Sequence, residues 1–257
     1  MTQLMHGHVA LLGRGFRLIG RQPVAIAMMI IQPIVWLLLY GQLFHNLPRL
    51  GGFGTDNYLE YLAPGIAVFT AFNHGAWEGG AVVQDIERGT IDRFLATPLP
   101  PAALLSARAV QAAITGAGQA VFVILIATVF GARLRSGLLG LLTIVAAAIL
   151  ICMAFAALNH ALALLVRRPE TMTMVGLFFT FPLMFSSTMF TATTQLPTWM
   201  RHVATANPVN WAVEAARSAM LDTQWTTAVI HLAALGALVI AAEAFARLAL
   251  SRYQHSL

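Results

Sequence analysis

The chain has 257 residues, of which 58% are hydrophobic and only 10% are charged. Soluble domains carry about 25% charged residues, so this composition excludes an ordinary soluble protein and indicates one embedded in a membrane. The formal net charge is +5, but the arginines lie at the ends of apolar stretches and not on one face, which makes nucleic acid an unsuitable partner.

The first 22 residues predict an amphipathic helix. Arg14, Arg17 and Arg21 share one face of that helix, and apolar residues such as Phe16 share the opposite face. A helix of this kind lies in the membrane interface with its arginines near anionic headgroups, which makes membrane lipid an expected partner. The alternative is a basic terminus without stable helical structure.

Six largely uncharged runs reach the length of about 20 residues that a helix needs to cross the hydrocarbon core. They are Pro23–Leu47, Tyr58–Gln84, Ala109–Ala132, Gly137–Val166, Thr171–Phe190 and Thr226–Ala246. The expected fold class is therefore an all-α integral membrane protein with six transmembrane helices, forming a single domain over residues 1–257.

The distribution of arginine predicts the orientation of these spans. An even number of spans places both termini on one side, and the arginines on that side outnumber those on the other by ten to five. Because positive residues are retained in the cytoplasm, both termini are expected there.

The segment 85–101 is the most polar part of the chain. Five of its 25 formally charged residues fall within the nine positions 85–93. Gly89 and Thr90 can start a short helix, which Pro98 would stop. An exposed helix with apolar anchors and a charged rim suits a groove on a soluble partner, and this segment is interpreted as a cytoplasmic coupling loop. The alternative is a loop that is merely solvated.

Polar residues inside the spans are candidates for function, because a charge in the bilayer costs about 2.5–3.5 kcal/mol. A substrate path is hypothesised along His74, Glu78, Asn159 and Phe185. Glu78 could instead reach the inner interface, and the Asn159-His160 pair could simply bond between helices.

Two further features of the spans indicate residues that stabilise the fold and have no catalytic role. Glu243 precedes Arg247 by four residues, which predicts an ion pair within one helix. Gly116 and Gly118 favour close packing of helices.

Residues 191–225, between the fifth and sixth spans, predict two short helices that form a hairpin on the outer side. Pro197 can open the first helix. Asn207 followed by Pro208 is typical of an N-cap and a first helical residue. In the second helix, Glu214 and Arg217 are spaced to form an ion pair.

The basic residues are all arginine, and the chain contains no lysine. A Walker phosphate-binding loop requires lysine, so this chain cannot hold ATP through one, and ATP-driven work would need another polypeptide. Cys152 is the only cysteine, and no metal-binding or hydrolytic motif is present. We therefore expect neither a catalytic site nor a metal site.

The run Glu87–Pro100 closely resembles the cytoplasmic signature of the ATP-binding-cassette type-2 permeases, in particular the drug-resistance and glycolipid-export branch. Further matches follow in order along the chain. They are Gln32-Pro33, Leu62–Gly65, Arg167–Glu170, Phe181–Ser187, Leu196–Trp199, Asn207-Pro208 and Glu214–Arg217. The resemblance thus covers nearly the whole chain.

This resemblance implies a permease subunit that dimerises, as a homodimer or a heterodimer, and that pairs with a separate ATPase subunit carrying ATP and Mg²⁺. The residues implied to contact the ATPase are Glu87, Arg88, Gly89, Thr90, Asp92, Arg93 and Phe94. The implied activity is export of a drug, lipid or glycolipid across a bacterial cytoplasmic membrane, with no cofactor bound by this chain. The alternative is a proton-coupled secondary transporter that uses Glu78, His160 and Glu243.

Overall fold

Residues 23–91 and 102–255 are described by the computed structural model of the chain. The predicted interfacial helix with Arg14, Arg17 and Arg21 lies outside the described residues. The same is true of Asp92, Arg93 and Phe94 in the coupling loop.

The described residues form eight α-helices and two short 3-10 helices, with no strand among them. The α-helices are α1 Pro23–Leu43, α2 Tyr58–Glu87, α3 Ala102–Val129, α4 Gly137–Val166, α5 Pro169–Phe185, α6 Thr198–Ala206, α7 Pro208–Leu221 and α8 Trp225–Gln254. The expected all-helical class is confirmed.

Three described helices are long and apolar enough to cross a membrane: Leu105–Val129 of α3, and the whole of α4 and α8. Helix α1 contains a shorter apolar run, Ile31–Leu43, and α5 has 17 residues. Helix α2 has 30 residues, or about 45 Å of helix. It is less apolar because it carries acidic residues, and it buries most of its length inside the bundle.

Helix α2 lies at the centre of the bundle and packs against α1, α3, α4, α5 and α7, while α4 also packs against α8. The contact with α4 is close because α2 presents Gly75 and Gly79 to the α4 backbone at Cys152 and Asn159. Small residues of this kind allow close van der Waals packing, which replaces hydrophobic burial as the source of helix association in a membrane.

The bundle has two distinct ends. Helices α2, α4 and α8 finish at one end, where α3 and α5 begin, and we call it the Arg88 end. At the opposite end, α2 begins beside the α3–α4 connection, since Glu60 accepts a hydrogen bond from Arg135 at 2.9 Å. That end also holds α7, and we call it the Arg217 end.

The chain departs from the expected fifth span, because α5 ends at Phe185 and not at Phe190. The backbone N–H and the hydroxyl of Thr188 each donate to Asn210 Oδ1 of α7 at 2.8 Å. Pro182 also lacks a backbone donor in the last turn of α5. The chain therefore leaves the helix and attaches to α7.

The two short helices expected in residues 191–225 are confirmed as α6 and α7. The Asn207 side chain caps α7 by accepting from the Val209 N–H at 2.9 Å, and Pro208 is the first helical residue. The cap residue also donates to the Leu183 carbonyl at 2.6 Å, which attaches α7 to α5.

The expected ion pair between Glu214 and Arg217 is wrong. Glu214 accepts from Asn210 Nδ2 at 3.0 Å and lies 3.7 Å from His231 Nδ1 of α8. The Arg217 guanidinium instead lies over the Tyr61 ring, 3.6 Å from its centroid. The ring and nearby carbonyl acceptors satisfy this cation better than a carboxylate on its own helix.

Glu243 and Arg247 form no ion pair with each other within 4.0 Å, so that expectation is also wrong. Arg247 is exposed on α8. An ion pair at this spacing stabilises a helix by only about 0.3–0.5 kcal/mol after the cost of ordering two long side chains, which is a weak preference.

Candidate functional site

An exposed turn follows α2 at the Arg88 end. The Arg88 N–H donates to the Gln84 carbonyl at 3.1 Å, and the Gly89 N–H donates to the Ile86 carbonyl at 2.9 Å. Gly89 has a φ of +63°, a left-handed conformation that suits glycine. Thr90 and Ile91 have helical backbone. We call residues 87–90 the α2 turn; Glu87 and Arg88 are exposed within it.

The α2 turn is held firmly on the bundle. Ile91, directly after it, is only 2% exposed and belongs to an apolar cluster with Val82 and Leu105. Asp85, two residues before it, forms an ion pair with Arg108 of α3. Because both sides of the turn are anchored, a force applied to its exposed residues would pass into α2 and α3.

About two helical turns before the α2 turn, a carboxylate of α2 lies between two imidazoles. Glu78 Oε1 is 3.6 Å from His74 Nε2, and Glu78 Oε2 is 3.9 Å from His160 Nε2 of α4. His160 is fully buried. The close approach of α2 to α4 at Gly75 and Gly79 brings these groups together. Ionisable residues inside a membrane bundle are costly and tend to be functional.

A cleft of about 210 Å³ opens between α1, α2 and α3 on the side of α2 that carries His74. Its polar lining includes Asn73 and Gln119, and its apolar lining includes Trp36 and Trp77. The Trp77 indole N–H donates to Asn73 Oδ1 at 3.0 Å, which orients the ring. Aromatic walls with a few polar groups are typical of sites for amphiphilic small molecules.

An aromatic column leads from this cleft towards the Arg217 end. Trp36 stacks on Tyr40 with ring centroids 5.4 Å apart, and Tyr40 lies 5.6 Å from Phe44. Phe44 then meets the edge of Tyr58 at 6.0 Å. The column gives the cleft a continuous aromatic wall along α1.

The residues of the hypothesised substrate path lie in different places. His74 lines the cleft, and Glu78 lies one turn below it in contact with His74. Asn159 lines a second cavity, whose walls come from α2, α4, α5, α7 and α8. Phe185 is at the end of α5, is 57% exposed, and stacks on Phe181.

Sequence reasoning did not place Trp36, Asn73 or Gln119 at a site. Gln32 and Trp36 lie one helical turn apart in α1. A polar and an aromatic residue at this spacing in an apolar helix could have indicated that they line a site. Within residues 23–91 and 102–255, no three His, Cys, Asp or Glu side chains group closely enough to hold a metal ion.

Comparison with known proteins matches residues 8–221 to the family described as ABC-2 type transporter. The chain is 30% identical over 219 residues to a protein named as transport permease ycf38 of Porphyra purpurea, covering 84% of this chain and 74% of that protein. It is 24% identical over 237 residues to the daunorubicin resistance ABC transporter permease protein DrrB1 of Streptomyces coeruleorubidus, covering 91% and 82%.

Proposed function

The chain belongs to the ABC-2 type transporter family, and from this premise we propose that it is the membrane subunit of an ATP-driven exporter of amphiphilic molecules. It is a membrane-embedded, multi-pass component of an ABC transporter, and the family implies an ABC ATPase as its partner. In this proposal the ATPase subunit holds ATP and Mg²⁺, and the chain itself supplies the pathway.

The observation that carries the proposal is the α2 turn. Its exposed residues Glu87 and Arg88 are free to meet a soluble subunit, while Ile91 and the Asp85–Arg108 pair anchor the turn to the bundle. The same helix lines the cleft at Asn73 and His74. Helix α2 would therefore link ATPase contact at one end to substrate contact about four turns away.

The proposed arrangement has six spans with both termini in the cytoplasm of a bacterial cell, in its inner membrane. The Arg88 end faces the cytoplasm, where Asp92, Arg93 and Phe94 extend the ATPase contact surface. Arg14, Arg17 and Arg21 of the expected interfacial helix would bind anionic lipid on the same side of the membrane. A second permease copy, identical or closely related, completes the membrane unit.

The proposed substrate is a drug, lipid or glycolipid that moves outwards along the cleft and the aromatic column. The mixture of aromatic rings with Asn73, His74 and Gln119 suits a molecule with both apolar and polar parts. One relative is named for daunorubicin resistance, and that name supports a drug as one member of this class.

The proposal is tested by the substitution Arg88→Ala in the complex with its ATPase, reconstituted in proteoliposomes. We expect transport per ATP hydrolysed to fall about fivefold or more, the lower limit of typical coupling between sites. Membrane insertion should be unaffected, because Arg88 is exposed. Arg49→Ala, at an exposed arginine of the Arg217 end, is the matched control. Unchanged coupling in Arg88→Ala would refute the proposed contact.

A second candidate, a proton-coupled secondary transporter, is favoured by one observation: Glu78 lies between His74 and His160 inside the bundle. This candidate predicts substrate movement driven by an imposed pH gradient without the ATPase, and loss of that movement in Glu78→Gln. Transport that requires ATP and ignores the pH gradient would exclude it.

A further inference from the structure

A polar pocket of about 260 Å³ lies at the Arg217 end, apart from the cleft and from the second cavity. One face of α7 lines it, because Glu214, Arg217 and Ser218 stand at positions i, i+3 and i+4 of that helix. Three connections supply further lining, at residues 52–54, 193–194 and 223–224. We call this space the α7 pocket.

Close packing of the connections fixes the walls of the α7 pocket. A Cβ atom on Gly52 would overlap the Thr194 hydroxyl, and one on Gly54 would lie 3.6 Å from Leu221 Cδ1 of α7. The α1–α2 connection therefore rests directly on the segment after α5 and on α7. The pocket has its shape without any ligand.

The α7 pocket opens to water and not to lipid. Thr193, Thr223 and Gln224 are exposed in its lining, whereas the aromatic lining residues Phe53 and Tyr61 are buried. Its volume lies just below the range of about 300–1,000 Å³ that is usual for drug-sized ligands. The pocket therefore suits a water-soluble molecule that is smaller than a drug.

Two side chains of α7 have hydrogen-bonding capacity that the protein does not use. Ser218 is only 6% exposed, and its hydroxyl has no hydrogen-bond partner among the described residues. Glu214 Oε1 accepts from Asn210, but its Oε2 is 3.7 Å from His231 Nδ1, beyond hydrogen-bonding distance. The two residues lie one turn apart on the same face, with Cβ atoms about 5–6 Å from each other. Since buried polar groups are nearly always paired, one molecule that reaches both would complete the site.

The charges of the lining favour a neutral ligand. The Arg217 guanidinium already donates to the hydroxyl and the carbonyl of Thr188 and covers the Tyr61 ring. It is thus a fixed positive wall, and Glu214 is a negative one. A cation in this small space would lie beside Arg217, and an anion would lie beside Glu214, so either would be repelled by one wall.

We propose that the α7 pocket binds a small neutral polyhydroxylated molecule, of the size of one sugar ring. One ligand hydroxyl donates to the Glu214 carboxylate, and another accepts from the Ser218 hydroxyl. Hydrogen bonds to a charged acceptor are the stronger kind, so Glu214 contributes most. The ligand is either a free solute or the sugar headgroup of a lipid. This site is separate from the cleft and involves neither ATP nor the α2 turn.

The test uses the full chain in phosphatidylcholine nanodiscs, whose headgroups carry no hydroxyl, with no nucleotide added. The probes are the methyl glycosides of glucose, galactose and mannose, together with myo-inositol, and binding is measured by saturation-transfer NMR. We expect at least one probe to bind, and glycine betaine and acetate to bind more weakly than that probe. Absence of binding by every probe, or tighter binding of betaine or acetate, would overturn the proposal.

Variants separate recognition from folding. Ser218→Ala and Glu214→Gln should each weaken binding about fivefold, the effect of one hydrogen bond. Ser218→Ala removes no internal hydrogen bond, so its thermal unfolding midpoint should not change, and Glu214→Gln keeps an acceptor for Asn210. The matched controls are Ser251→Ala, at an exposed serine of the Arg88 end, and Asp56→Asn, at an exposed carboxylate outside the pocket. Unchanged affinity in Ser218→Ala, or equal loss in the controls, would contradict the site.

The alkyl chain of the probe identifies the source of the ligand. Equal affinity for the methyl and octyl glycosides of the same sugar indicates a free solute. Octyl glycoside that binds about tenfold more tightly, because its chain adds apolar burial, indicates a lipid headgroup if Ser218→Ala weakens it as well. Octyl binding that Ser218→Ala leaves unchanged counts against the site. Since binding needs no ATP, its failure would leave the proposed exporter function standing, and failed export would leave this site standing.

Discussion

Gly75 and Gly79 decide how closely α2 approaches α4. A Cβ atom on Gly75 would overlap the Cys152 carbonyl oxygen, and one on Gly79 would lie 3.0 Å from the Asn159 carbonyl oxygen. Gly80, the next residue, has open space around it. The approach brings Glu78 within 3.9 Å of His160, so two residues without side chains position two ionisable ones.

Gly75→Ala is therefore expected to destabilise the bundle, by about 1–3 kcal/mol, because the backbone of α4 would have to shift. Gly80→Ala is the control on the same helix and should be neutral or slightly stabilising, since alanine favours helix. The measurement is the thermal unfolding midpoint of each purified variant in detergent. Similar midpoints for the two variants would show that the contact does not govern stability.

Single residues were only partly predictable from the sequence. Gly116 was expected to pack closely, and a Cβ on it would lie 3.1 Å from that of Ala71, whereas its neighbour Gly118 faces open space. A spacing of small residues does not specify which of them faces another helix. The partner of Glu78 could not be found either, because His160 lies 82 positions away and the register of α2 on α4 arises from packing.

At the scale of elements, α7 organises the Arg217 end. Asn210 binds Thr188, and Arg217 donates to the Thr188 carbonyl at 2.8 Å while covering the Tyr61 ring. Helices α2 and α7 and the segment after α5 are thus joined at one guanidinium. The start of α7 was predictable from the sequence, because Asn207 and Pro208 begin the helix that directly follows them in the chain. The end of α5 was not, because its cause is a side chain 22 positions from Thr188.

Arg217→Leu should weaken this end of the bundle by about 2–5 kcal/mol, since it removes the hydrogen bonds that the guanidinium donates to the Thr188 hydroxyl and carbonyl, together with its contact with the ring. Arg217→Lys should recover only part of the loss, because an ammonium lacks the planar fork that serves several acceptors. Arg49→Leu is the control, at an exposed arginine of the same end. Thermal unfolding together with protease sensitivity of the segment 186–197 measures the effect, and a fully stable Arg217→Leu variant would contradict it.

For the whole molecule, composition was sufficient to predict an all-helical membrane protein, and the ordered matches along the chain were sufficient to predict its family. The cleft and the second cavity were not predictable, because each is formed by residues from three or more helices. Their placement on different faces of α2 makes that helix the shared wall of both spaces. Movement of α2 would consequently change both at once.

The orientation of the bundle can be tested with the chain's single cysteine. Cys152 is buried, so Cys152→Ala provides a background without thiols. Glu87→Cys and Thr223→Cys then place one exposed thiol at each end. In intact bacterial cells, a membrane-impermeant maleimide should label Thr223→Cys and spare Glu87→Cys, because the proposed topology puts the Arg88 end in the cytoplasm. Permeabilised cells, in which both should react, control for reactivity. Labelling of Glu87→Cys in intact cells would place the α2 turn outside, where no ATPase could reach it.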